Sequence, residues 1–168
     1  MSKKKPKTQY YYSTEADGTT YGGFRPFDSG DVAVAPDWNP NPRIECGQGL
    51  HVVTGHPLRS HEFVKRANPV YYEVQPRELV PALTGRKYRC HSLRRLRRLR
   101  RNSPEWSLDR LGKMAQGDAG GYVRRAAVGR LEDQKLLGKI AQEDVDPYVR
   151  EVAIKRLEEL QCAKEARR

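Results

Sequence analysis

The sequence predicts an α+β module in the N-terminal half, followed by an all-α stack of helical hairpins. Between Gln9 and Gln75, short β-branched and aromatic runs alternate with Gly, Pro, Asn and Asp, which is typical of a small sheet. After Ser103 the chain repeats at an offset of 26 residues with apolar positions at helical spacing. The predicted parts are a basic disordered tail (1–7), a small α+β domain (8–91), an arginine-rich linking or capping helix (92–102), and two helical hairpins with a C-terminal tail (103–168).

The first part contains five candidate strands and one candidate helix. The strands are Tyr10–Tyr12, Thr19–Tyr21, Val32–Val34, Leu50–Val53 and Val70–Val74, and the helix is Pro57–Arg66. Asp17-Gly18 has the composition of a hairpin turn. Trp38 lies in a proline-rich loop, and we expect its ring to anchor this loop against the sheet.

The second part repeats both its motifs at the same offset. The segment 111–116 (LGKMAQ) returns as 137–142 (LGKIAQ), and Tyr122-Val123-Arg124 returns as Tyr148-Val149-Arg150. The pattern therefore predicts two helices joined by a short turn in each repeat. In the second repeat, Asp146 suits the N-cap position of a helix and Pro147 suits the first helical position.

The run 144–150 (DVDPYVR), followed by alanine and leucine on one face, resembles the short HEAT-like repeats of bacterial proteins over residues 107–161. The resemblance implies that Asp118 or Asp144 pairs with Arg124 and Arg150 in a structural role. It also implies binding of proteins or nucleic acids through a stacked helical face, without a catalytic motif. Because a helical array needs at least three units, something else must cover an end of the stack.

An arginine-rich segment with leucine at every third position joins the two parts. As a helix it would place Leu93, Leu96 and Leu99 on one stripe against the first hairpin, with the arginines around it. The planar guanidinium suits phosphate, although a solvated capping helix remains an alternative interpretation. The predicted anion-binding residues are Arg94, Arg95, Arg97, Arg98, Arg100 and Arg101, with help from Lys3, Lys4, Lys5 and Lys7.

The net charge of +11 is concentrated in the lysine tail and this arginine segment, while both folded parts are nearly neutral. This distribution favours local contacts with an anionic partner. The sequence contains neither an apolar run long enough for a membrane span nor a secretory signal, so we expect a cytoplasmic protein that does not bind membranes.

A second motif, 46–51 (CGQGLH), lies in the first part. With the preceding 21–24 (YGGF) and the following 70–74 (VYYEV), it resembles an uncharacterised domain of phage and bacterial proteins that carries a Cys-x-x-Gly-aromatic/Leu-His signature, over residues 8–83. The resemblance implies no established activity. We interpret Cys46 and His51 as structural, and we predict no catalytic residue, no metal and no cofactor, because the Cys and His spacing lacks the paired short intervals of a zinc site.

The function favoured by the sequence is that of a non-enzymatic binding or adaptor protein. The expected partner is nucleic acid or an acidic protein surface. A protein scaffold that uses the face of the helical repeats is the alternative, and an enzyme with an ADP-ribosyltransferase-like pocket or a Cys/His site in the first part is a weaker one. The sequence leaves the oligomeric state open.

Overall fold

The computed structural model describes residues 8–20, 23–43, 48–66, 69–82, 87–100, 102–118 and 120–167. The chain divides into two compact units, Met1–Leu99 and Arg100–Arg168. Within the described ranges, no helix combines the length and the apolar character that crossing a bilayer requires.

The first unit is a small antiparallel β-barrel. Its strands are β1 (Tyr10–Thr14), β2 (Val32–Val34), β3 (Leu50–Thr54), β4 (Val70–Pro81) and β5 (Lys87–Arg98), and a short helix α1 (His61–Val64) follows β3. The sheet order is β2-β5-β3-β1-β4, and β4 also pairs with β5. That last pairing closes β5, β3, β1 and β4 into a four-stranded barrel, and β2 is an extra strand on β5.

The barrel core is made of aliphatic, aromatic and small side chains, nearly all of them on the strands. Members of this core are Tyr12, Ala33, Ala35, Leu50, Val52, Tyr72, Val74, Cys90 and Leu93. A second buried layer lies where the helical segment 57–64 contacts β1 and β3, and it includes Leu58 and Phe63. The predicted strand at Thr19–Tyr21 is wrong at Thr19 and Thr20, which form a turn-like loop closed by the Thr20 N–H donating to the Phe24 carbonyl. Tyr21 lies outside the described residues.

The β4–β5 hairpin bends at two irregular positions. Glu78 has a φ of 53°, in the left-handed region that non-glycine residues rarely adopt. Further along, the register shifts between Glu73 and Val74: Glu73 pairs with Arg97, whereas Val74 pairs with Arg95. The shift leaves Leu96 as the extra residue of a β-bulge in β5.

The predicted linking helix over 92–102 is wrong, and the bulge shows how a strand accommodates the same leucine spacing. A leucine at every third position matches a helical stripe, but residues 92–98 belong to β5. Leu93 lies in the barrel core, Leu96 is 50% exposed, and Leu99 is buried with its N–H donating to the Tyr71 carbonyl. The strand forms because β4 and β2 supply its hydrogen-bonding partners, and neither partner is visible in the local periodicity.

The second unit consists of α2 (Leu108–Gly117), α3 (Gly121–Val128), α4 (Gln134–Glu143) and α5 (Pro147–Glu165). The starts of α2 and α4, and those of α3 and α5, are 26 residues apart. Ser107, Asp133 and Asp146 cap α2, α4 and α5 by accepting hydrogen bonds from backbone N–H groups of the first turn. The buried side chains between the helices include Leu111, Val123, Ala127, Leu131, Leu137, Ile140, Val149 and Ala153.

The predicted fold class, an α+β module followed by an all-α HEAT-like repeat stack, is therefore wrong, and so is the classification as a helical-repeat protein. The first unit is a closed β-barrel with one extra strand. In the described part of the second unit there are four α-helices, preceded by a short 3-10 helix at Pro104–Trp106, and the last α-helix is continuous over 19 residues. A helical-repeat stack needs at least three units to bury a continuous core, and these helices form no third unit.

Candidate nucleic-acid interface

The structure distributes the predicted anion-binding arginines over two units. Arg94, Arg95, Arg97 and Arg98 lie on β5 of the barrel, whereas Arg100 is the first residue of the second unit. Arg101 and the four lysines of the tail (Lys3, Lys4, Lys5 and Lys7) lie outside the described residues. The six arginines therefore do not share one helix face, and the candidate interface is the β5 surface of the barrel.

Arg95 is held in place by an acid and by two aromatic rings. Its Nε donates to Asp31 Oδ1 at 2.8 Å, and its Nη2 donates to the same oxygen. Its Cζ lies 4.9 Å from the centroid of the Phe27 ring and 5.7 Å from that of Tyr72. The Arg95 backbone N–H also donates to the Asp31 carbonyl, which fixes the two residues side by side. The charge of Arg95 is thus already compensated.

Arg97 is compensated in the same way by its cross-strand neighbour. Glu73 stands directly opposite it on β4, and Arg97 Nε donates to Glu73 Oε2 at 2.7 Å. The Glu73 side chain is 18% exposed, so this ion pair is partly shielded from water. Arg95 and Arg97 are therefore both engaged with acids within the barrel.

Arg94 and Arg98 are exposed, and no carboxylate of the described residues lies within ion-pair distance of either guanidinium. Arg94 pairs with Gln75 on one side and with Val32 of β2 on the other. Since Leu93 faces the core, the adjacent Arg94 faces outward. Arg98 pairs with Tyr72 near the end of β5.

The surface around Arg94 also exposes apolar groups. Val32 and Val34 of β2 are 50% and 52% exposed. Arg77, on β4, is exposed and pairs with Ser92. The surface is therefore basic and aliphatic.

Arg89 is a fully buried arginine, which its sequence context does not predict. Its Nη1 donates to the carbonyls of Asn39 and Gln48 at 3.1 and 3.0 Å, and its Nη2 donates to the carbonyl of Asn41. Arg89 thereby ties the loop that contains Trp38 to the barrel. No local signal distinguishes it from the other arginines, because its burial depends on a loop about 40 to 50 residues away in sequence.

Trp38 contacts the barrel, as its sequence context predicts. Gly49 has a φ of +94°, and a Cβ at that position would lie 2.8 Å from Trp38 Cε3. The Trp38 and His91 rings lie 5.9 Å apart at 30°. Only a glycine gives the loop both this backbone conformation and room for the ring.

The motif at 46–51 is partly described. Cys46 lies outside the described residues, and His51 is a half-buried residue of β3 that pairs with Arg89. The nearby Cys90 thiol is fully buried and donates to the Leu50 carbonyl, and burial raises its pKa to about 12. A thiol in this state is a poor nucleophile at neutral pH. The described ranges contain no group of three His, Cys, Asp or Glu residues that could hold a metal ion.

In the second unit, the residues singled out by the HEAT-like resemblance form hydrogen bonds. Arg124 binds the Asp144 carboxylate and donates to the Asp118 carbonyl at 3.0 Å, while Arg150 donates to the Asp144 carbonyl at 2.7 Å. These groups connect helix ends and turns. They are structural contacts rather than a binding surface.

An open groove of about 370 Å³ lies along the C-terminal part of α5. Its lining residues carry both charge signs: Glu132, Arg156, Glu159, Leu160, Ala163, Lys164 and Arg167. Because the charges nearly balance, the groove favours neither an anion nor a cation.

No protein-family model matches the chain, and no similar protein is found among curated proteins or solved structures. The two resemblances drawn from sequence motifs therefore stay predictions.

Proposed function

We propose that the chain is a non-enzymatic binding protein that contacts the phosphate backbone of nucleic acid through the β5 surface of its barrel. The observation that carries this proposal is the pair of exposed arginines, Arg94 and Arg98, on a strand whose other arginines are either compensated by Asp31 and Glu73 or buried. The cytoplasmic location expected from the sequence is part of the proposal.

The spacing of these two arginines supports contacts with separate phosphates. Their cross-strand partners, Gln75 and Tyr72, are three residues apart on β4, and the bulge at Leu96 lies between the two arginines. Arg94 and Arg98 therefore project from opposite faces of β5, so one phosphate group cannot engage both guanidinium groups at once. Each guanidinium offers a planar fork of donors that fits two phosphate oxygens. The four lysines of the tail add positive charge to the same chain. Binding of this kind follows the backbone and reads no base sequence.

A second candidate partner is an acidic protein surface. Val32 and Val34 favour it, because a protein partner would bury these two aliphatic side chains while its carboxylates pair with Arg94. Phosphate contacts alone would leave both valines in water.

The test compares two double variants of the full chain. Arg94→Gln with Arg98→Gln removes the proposed phosphate contacts, and Lys135→Gln with Lys139→Gln removes the same charge from the exposed side of α4 as a control. Fluorescence anisotropy measures affinity for duplex and single-stranded probes over a range of salt concentrations. We expect the slope of log affinity against log salt to become shallower by about 0.7 to 0.9 per lost contact in the arginine variant, and to change little in the control.

The outcomes separate the two candidate partners. If the wild-type chain does not bind either probe at low salt, or if both variants bind alike, the nucleic-acid proposal is wrong. Retention of the wild-type chain on poly-glutamate, combined with no binding to nucleic acid, would support the acidic protein partner instead.

A further inference from the structure

The Arg95 guanidinium is held both by a carboxylate and by an aromatic ring, which fixes its orientation. Nε and Nη2 both donate to Asp31 Oδ1, so one edge of the guanidinium plane points at that carboxylate. The ring of Phe27 supports the group at 4.9 Å, and Phe27 in turn packs edge-on against Tyr72 at 5.1 Å between centroids. The Arg95 side chain is nevertheless 33% exposed.

A fixed and compensated guanidinium is poorly suited to bind phosphate. Its charge is already satisfied by Asp31, and binding a phosphate would require that ion pair to break. A planar guanidinium in this state still offers a flat, polarisable surface, and nucleobases stack on such planes as they do on aromatic rings. The aromatic support from Phe27 keeps the plane from rotating, which lowers the entropic cost of stacking.

The neighbouring residues place a phosphate contact beside this plane. Arg98 pairs with Tyr72, and Tyr72 is one of the two rings on which Arg95 rests. An exposed cation therefore lies on β5 three residues from the stacking surface. Backbone contact and base contact could be made to the same stretch of an unpaired strand.

We infer that the exposed side of the Arg95 guanidinium is a platform on which a nucleobase stacks. The ligand of the β5 surface is then single-stranded nucleic acid. This inference rests on the proposed function and deepens it. In a duplex the bases are stacked on one another and are not accessible to Arg95, whereas in a single strand each base can turn outward.

The test uses two probes that carry the same phosphates: an oligo-thymidine of about twelve nucleotides and an abasic strand of equal length. We expect the wild-type chain to bind the thymidine probe about five- to tenfold more tightly, which is the effect of stacking one base weakly on the single Arg95 platform. Arg95→Lys keeps the charge and the Asp31 partner but lacks the plane. It should bring the ratio of the two affinities close to one and leave the affinity for the abasic probe nearly unchanged.

The stacking inference and the proposed function fail in different ways. Equal affinity of the wild-type chain for both probes overturns stacking, and this measurement does not depend on any variant. If Arg94→Gln with Arg98→Gln still weakens binding to both probes in that case, the proposed function stands. No binding of the wild-type chain to either probe overturns both. If the folded Arg95→Lys variant still prefers the thymidine probe over the abasic probe, another residue does the stacking and the role of Arg95 is overturned.

Discussion

Arg124 and Asp144 are joined by two hydrogen bonds of 2.9 Å, from Nε to Oδ2 and from Nη2 to Oδ1. Their side chains are only 10% and 9% exposed. Arg124 lies on α3 and Asp144 caps the end of α4, so the pair ties two helices of the second unit together. Asp144 Oδ1 also accepts a hydrogen bond from the backbone N–H of Asp146, which caps the start of α5.

Replacing Asp144 with asparagine should destabilise the second unit strongly. The change leaves the Arg124 charge buried without its carboxylate, and breaking a buried pair in this way costs about 3 to 5 kcal/mol. The measurement is urea unfolding followed by helical circular dichroism. Asp109→Asn is the control, because the Asp109–Lys113 pair is 75% exposed at both ends, and its loss should cost less than about 0.5 kcal/mol. Equal effects of the two variants would show that burial does not strengthen the Arg124–Asp144 pair.

The same pair should make the second unit sensitive to acid. Burial raises the pKa of Asp144, but the hydrogen bonds from Arg124 and from the Asp146 backbone outweigh burial and hold the pKa below the ordinary 3.8. The contribution of Asp144 to stability is therefore fully present above the ordinary pKa and is lost as the pH falls through the lowered value. We expect the difference in unfolding free energy between wild type and Asp144→Asn to be constant above about pH 5 and to shrink in more acidic solution. A difference that grows on acidification would contradict this sign.

Gly49→Ala should destabilise the barrel more than Gly18→Ala. Both glycines have a positive φ, +94° and +86°, so both substitutions incur backbone strain of roughly 1 kcal/mol. At Gly49 the new Cβ would also collide with the Trp38 ring, which adds about 1 to 3 kcal/mol, whereas at Gly18 nothing lies within 4 Å. Chemical denaturation monitored by near-ultraviolet circular dichroism gives both values. A Gly49→Ala variant as stable as Gly18→Ala would mean that Trp38 does not pack there.

Two leucine substitutions distinguish the barrel strand from the helix that the sequence predicts. Leu93→Ala empties a position that is 1% exposed and should cost about 2 to 4 kcal/mol. Leu96→Ala acts at a bulged residue that is 50% exposed and should cost less than about 1 kcal/mol. A linking helix with one leucine stripe would make the two costs similar, so thermal and chemical unfolding of both variants decides between the placements.

Helical spacing and capping residues were sufficient to locate the helices of the second unit, because these signals act within one or two turns. Asp146 and Pro147, for example, begin α5 where their side chains predict a helix start. The runs at Tyr10–Tyr12, Val32–Val34 and Leu50–Val53 likewise lie in strands. The arginines of the candidate interface were also visible in the sequence, because they cluster within a short segment of the chain.

Only the tertiary structure decided what those arginines do. Arg95 meets Asp31 across 64 residues, and Arg97 meets Glu73 across 24. The leucine period of three favoured a helix, but β4 and β2 supply a hydrogen-bonded strand on each side, and a bulge at Leu96 accommodates the period. Pairing between strands that are distant in sequence therefore overrode the local pattern, and it determined which arginines are compensated by acids and which remain exposed.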